Sequence, residues 1–486
     1  MERPSRVASG GPGARRPAAR WFATAFVALA ALVATAGVAA AHGGAVRGAA
    51  RESLAVPTWL FLLTGGGAVG ASFLLASFVT DRAFIRAVHS ARRGVSLPTR
   101  PLLAVGRAVG VLGLVAVLYT GLFVPTGPLA GVVPDGLLAP AEPLRNLAVV
   151  LVWAGWWAGF TMTTYLVGNT WPVVNPWRTL ARALPSLDRP YPERLGSWPS
   201  VVLLLAFIWV EVVSPLADEP PLLATVVALY TVGTLVGTTV FGEETWFSTV
   251  DPVSRVFAAY GQVAPLYDDG RRIRARLPGT ALSDASWLTR RGDVAFVVAL
   301  LWGTTYDGFV VTPTWRALVT PVVEAGAPPH LLYPLALAAG FGLFYGAYRL
   351  AARYGRRYAD SLLSADDLAR RFAPSLLAIA AGYHVAHYLG YFLSLSPSLL
   401  GALSSPLSPP PALSLVLPAW FGGVGLAFVL VGHVLAIWVA HATAFETFPS
   451  RLQAIRSQYP LTAVMVLYTM TSLLIVSQPG VEVPYL

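Results

Sequence analysis

The chain has 486 residues, of which 55% are hydrophobic and only 12% charged, against about a quarter charged in ordinary soluble domains. One aqueous fold cannot hide that much apolar surface, so the bilayer is the expected solvent and the main partner. The net charge of +10 is carried in short arginine blocks between apolar segments, the pattern of membrane orientation and not of nucleic-acid binding, and the lack of cysteine excludes disulfides, thiolate metal sites and thiol nucleophiles.

The N-terminus reads as a targeting element. Arg15, Arg16 and Arg20 precede an apolar run that ends in Ala39-Ala40-Ala41, the basic start, apolar middle and A-x-A close of a secretory signal peptide. Residues 1–41 are therefore expected to be a signal peptide, with an uncleaved first span as the alternative. Residues 42–486 are expected to form a single transmembrane helical domain. The fold class is all-α, a polytopic transmembrane helix bundle.

Apolar stretches of about twenty residues mark the spans. They fall at 57–80, 101–125, 144–168, 199–217, 221–241, 293–313, 330–351, 373–395, 415–440 and 461–478, about ten in all. Between the third and fourth, Asn175-Pro176-Trp177-Arg178 reads as a helix start, with Asn as N-cap, Pro at the first position and Trp at headgroup level. The segment 242–292 is the largest loop and is expected to form surface helices on the bundle. Gly65-Gly66-Gly67, Gly155 with Gly159, and Gly342 with Gly346 read as points of close helix packing.

Arginine counting sets the orientation. Segments 81–100, 169–198, 242–292 and 352–372 are arginine-rich alternate loops, and the loops between them carry few Arg. All four are expected to be cytoplasmic, which puts the mature N-terminus and the C-terminus outside a prokaryotic plasma membrane.

Ionisable residues inside spans are costly, about 2.5–3.5 kcal/mol for Asp at the centre, and functional by default. The candidates are Glu211, Asp307, His384, His387 and His433. At a helical rise of 1.5 Å per residue they all fall roughly 17–22 Å from the cytoplasmic ends. His384 and His387 share a helical face, and Tyr383 and Tyr388 flank them with hydroxyls. His384, His387 and His433 would complete a divalent-metal ligand set, zinc or manganese, with Asp307 as ligand, orienter or base. The alternative is a structural polar network in which each His bonds to a neighbouring helix.

Asn175-Pro176-Trp177-Arg178, Thr305-Tyr306-Asp307-Gly308-Phe309, Gly382-Tyr383-His384-Val385-Ala386-His387-Tyr388 and Gly432-His433 occur in this order. Together the sequence resembles the integral membrane proteins of actinobacteria and haloarchaea labelled fenitrothion hydrolase. The resemblance runs from about residue 55 to 475 and implies cleavage of an organophosphorus triester, a small apolar substrate.

Three functions then stand open. One is a metal-dependent hydrolase of an apolar ester, in which the ion activates water. The second is a permease or ion-transport protein using the same cluster as a proton or cation path. The third, ranked last, is a haem protein with axial histidines.

Overall fold

The computed structural model describes residues 58–95, 99–124, 143–270 and 272–485; the expected signal segment lies outside them. The described residues are mainly helical, and a helix stands at each of the ten expected positions. In chain order these are α1 (Thr58–Ser77) with the short α2 (Arg82–Ser90), α3 (Thr99–Phe123) and α4 (Leu147–Leu166). The surface helix α5 (Pro176–Ala181), then α6 (Trp198–Val213), α7 (Pro220–Phe241) and α8 (Pro252–Gly261) follow. The second half holds α9 (Asp293–Phe309), α10 (Pro313–Glu324), α11 (Pro329–Tyr358), α12 (Ala365–Phe372), α13 (Leu376–Ser404), α14 (Gly422–Thr447) and α15 (Arg451–Val476). Among the described residues seven helices are long and apolar enough to cross a membrane, nine if the bent pairs α1–α2 and α9–α10 each count as one. α6 is apolar but shorter.

The helix starts follow local chemistry. Asn175 accepts the Arg178 backbone N–H at 2.9 Å and Pro176 takes the first helical position, as the sequence indicates. Trp177 departs from expectation: it is 8% exposed, and its Nε1 donates to Thr231 Oγ1 of α7 at 2.8 Å. A buried indole needs a partner for its N–H, and α7 supplies one that an interface position would have drawn from headgroups.

α9 is the axis of the molecule. Every residue from Asp293 to Gly308 is buried, so α6, α11 and α13 surround it with apolar side chains. α13 and α14 cross closely, because a methyl group added at Gly382 would come within 2.9 Å of the Gly432 Cα. Gly159 packs on the Phe392 ring and Gly65 on Leu473, as read from sequence, whereas Gly342 and Gly346 face open space. The last two therefore permit no close packing within the chain.

The segment 242–292 is not a set of surface helices. α8 buries Phe257 and Tyr260 completely, and β2 (Leu266–Asp268) and β3 (Ile273–Arg276) form a hairpin. β1 (Arg92–Val95) adds to its other edge in the antiparallel order β1-β3-β2. The turn is made by Gly270 at φ +82°, with Asp268 Oδ1 accepting its N–H at 2.9 Å. Behind the hairpin, Arg255 and Asp293 form a buried ion pair at 2.9 Å, closed by Ser197 Oγ, which donates to Asp293 and accepts from Arg255. Burial, more than any other influence, holds the Arg255 guanidinium below its ordinary range, with Asp293 pulling the other way. All four arginine-rich segments meet at this end: β1 pairs with β3, Leu266 bonds to Val167, Arg178 pairs with Glu243, and Arg370 and Arg371 line one cavity with Arg92 and Arg276.

Candidate functional site

Near its C-terminal end, α9 presents Asp307 to α13. Asp307 Oδ2 accepts from Tyr388 Oη at 2.7 Å and lies 3.1 Å from His387 Nε2. The helices approach here because Gly308 leaves room: a methyl group in its place would sit 2.2 Å from Tyr383 Oη. Tyr383 in turn stacks on the His387 ring at 6.1 Å and 12°. His387 and Tyr388 are adjacent in sequence, and Asp307 lies between their polar atoms. The pair is nearly sealed, with side-chain exposures of 14% for His387 and 9% for Asp307.

One turn back on α13, His384 is fully buried and makes a different contact. Its Nδ1 is 2.9 Å from Tyr165 Oη on α4. Rings enclose it: Tyr388 at 4.5 Å, Trp157 and Tyr165 at 5.7 Å, and Tyr260 from α8 at 5.8 Å. Trp157 belongs to a π-helical stretch, Leu151–Phe160, inside α4. Such wide turns rotate the face that a helix presents and concentrate at functional sites. Glu211 of α6 is half-buried and an electrostatic neighbour of Tyr306 and Tyr388, so it borders the same region.

His433 does not join this group through any hydrogen bond. It is fully buried on α14, and its Nδ1 bonds to the Val429 carbonyl of its own helix at 2.8 Å. Among the described residues no three His, Asp or Glu side chains gather as a metal-holding group. His384, His387 and His433 thus do not appear as one group among the described residues, while the Nε2 atoms of His384 and His433 are buried without a hydrogen-bond partner. Each histidine has a different partner at one ring nitrogen: Tyr165 for His384, Asp307 for His387 and the Val429 carbonyl for His433. What the structure brings together is Asp307, His387 and Tyr388, with His384 and Tyr165 beside them.

Tyr165, Tyr260 and Trp157 are site residues that the sequence reading passed over. The available signal was Tyr165 within the polar run Thr161-Met162-Thr163-Thr164, unusual inside an apolar span.

No family model, curated protein or solved structure matches the chain. Function therefore rests on the site itself. Chemically, Asp307 and His387 can share one proton across 3.1 Å, and Tyr388 can stabilise the carboxylate whenever it is ionised.

Proposed function

We propose that the chain is a multi-pass plasma-membrane protein with ten spans, its arginine-rich end in the cytoplasm, and that Asp307 and His387 form the proton-exchange centre of a permease. The observation that carries this reading is the single carboxylate oxygen of Asp307 held by both His387 and Tyr388 inside an apolar bundle. Lipid cannot solvate an isolated charge there, so ionisable groups kept in a span serve one another, and chains of Asp and His mark proton paths. Passing the proton from His387 to Asp307 turns an ion pair into a neutral pair without changing the net charge. The step avoids the large desolvation cost of a lone ion. The His384–Tyr165 pair, one turn away and against the Tyr388 ring, provides the next carrier.

The test is infrared difference spectroscopy of purified protein between acid and alkaline pH. A carboxylic C=O band that titrates in the wild type and vanishes in Asp307→Asn is the expected result. Identical difference spectra for the two proteins would sink the proposal.

A second reading draws on the oriented His387: an imidazole fixed by a carboxylate is also a general base. The resemblance to the fenitrothion hydrolase group gives it a substrate, an apolar phosphotriester that partitions into the bilayer. Water would bond to phosphorus through its oxygen, its proton would go to His387, and the aryl oxide would leave. Release of nitrophenolate from an aryl phosphotriester, abolished by Asp307→Asn, would favour this reading over the permease.

A further inference from the structure

The arginine-rich end of the molecule carries a bay of 1050 Å³, separate from the Asp307 site. Arg86 and Arg92 reach it from α2 and β1, Arg276 from β3, and Arg370 and Arg371 from α12. Three chain segments remote in sequence thus turn five guanidiniums towards one space.

Their pairing is uneven. Asp284, Asp367 and Glu446 also line the bay, but Asp367 is engaged by Arg370, and Asp284 caps the Ser286 backbone N–H. Arg86, Arg92 and Arg371 have no carboxylate partner among the described residues.

The register adds a specific cost. Arg92 stands directly opposite Arg276 across the β1–β3 ladder, and like charges in that relation repel. Both guanidiniums lie over the one Tyr267 ring, at 6.0 Å and 4.7 Å from its centroid. Arg276 is fixed by carbonyls, donating to Ala264 from Nε and to Gly261 and Gln262 from Nη2, so it cannot swing away. Burial first and the Arg92 charge second hold its guanidinium below the ordinary range. A fold that holds two arginines opposite each other over one ring, with Arg86 and Arg371 lining the same bay, has built an anion site.

We propose that this bay binds a phosphate-bearing anion through Arg92, Arg276, Arg86 and Arg371. Planar guanidiniums match phosphate oxygens two at a time, and an anion placed between Arg92 and Arg276 cancels their repulsion. The phosphate can belong to a soluble metabolite or to an anionic lipid headgroup, since basic pockets at this kind of bundle end take either.

The experiment is a thermal melt of the full chain in non-ionic detergent, with inorganic phosphate or phosphatidylglycerol added against chloride at equal ionic strength. The expected result is a rise in melting temperature that saturates, with apparent affinity about tenfold weaker in Arg92→Gln and in Arg371→Gln. Without ligand, Arg92→Gln should melt above the wild type, because its repulsion with Arg276 is gone. Arg349→Gln, outside the bay, should keep the wild-type response. A shift with phosphate assigns a soluble ligand, and one with phosphatidylglycerol alone assigns the lipid. No shift with either, or undiminished shifts in both bay variants, overturns the site. Arg371 is exposed and makes no hydrogen bond, so its variant keeps the test valid even if Arg92→Gln fails to fold.

Discussion

Tyr388 shows how much of the site depends on one hydroxyl. Its Oη is one of two donors on Asp307 Oδ2, and its ring also covers His384 at 4.5 Å. Tyr388→Phe keeps the ring and deletes the bond, so it should cost about 1 kcal/mol in stability. It should also move the Asp307 band in the infrared titration, since the carboxylate loses one of its partners. An unmoved titration would show that the bond is not made in the membrane. Asp307, His387 and Tyr388 were legible in sequence because polar groups in apolar spans must find each other. His433 was legible as costly; its Nδ1 bonds to Val429 four residues earlier while its buried Nε2 makes no hydrogen bond, a division that depth counting cannot show. Tyr165 and Tyr260 were not legible, because a buried tyrosine is ordinary in any core and only the fold aims these two at His384.

Elements come together at the site through missing side chains. α13 and α14 cross where Gly382 and Gly432 face each other, two residues before His384 and one before His433. A methyl at Gly382 would also meet the Phe428 carbonyl at 2.5 Å, a backbone atom that cannot turn aside. Gly382→Ala should therefore lower stability by about 1–3 kcal/mol through overpacking and displace His384 from Tyr165. Gly342→Ala on α11, with nothing within 4 Å, is the matched substitution that should leave the melting temperature unchanged or slightly raised. Equal behaviour of the two would show that the crossing is looser than described. The helices at the ten positions were readable from apolar runs, but some ends were not: α13 runs on to Ser404, beyond the expected 395, and α15 starts at Arg451, before the expected 461. The hairpin was not read from the pattern, although Asp269-Gly270 is a turn signal between its strands. β3 does alternate, as Ile273-Arg274-Ala275-Arg276, but four residues are too few to separate a strand from a loop. The π-helical stretch of α4 has no sequence signature at all.

At the scale of the molecule, one end is tied by a buried ion pair and the other by hydrogen bonds to backbone carbonyls and a side-chain amide. The charged end is closed by Arg255 and Asp293, 8% and 4% exposed, which join α8 to the start of α9. Removing one member strands a buried charge, so Asp293→Ala should cost about 3–5 kcal/mol, measured by chemical or thermal unfolding. Arg255→Met with Asp293→Leu should recover most of that loss. The far end is held by Thr314 on Gln478 at 2.7 Å, Tyr333 on the Pro484 carbonyl at 2.6 Å and Arg145 on the Pro409 carbonyl at 2.9 Å. This asymmetry carries a prediction about orientation. Arginines resist translocation, so the end that gathers segments 81–100, 169–198, 242–292 and 352–372 should stay in the cytoplasm. The native chain has no cysteine, so single replacements report directly on sidedness. Arg272→Cys, on an exposed hairpin position, should be shielded from an impermeant maleimide in intact cells and react after lysis. Glu324→Cys, exposed at the end of α10, should react in intact cells. The opposite labelling of the pair would invert the topology. It would also place the phosphate-binding bay outside the cell, because the bay and the hairpin share one end of the bundle.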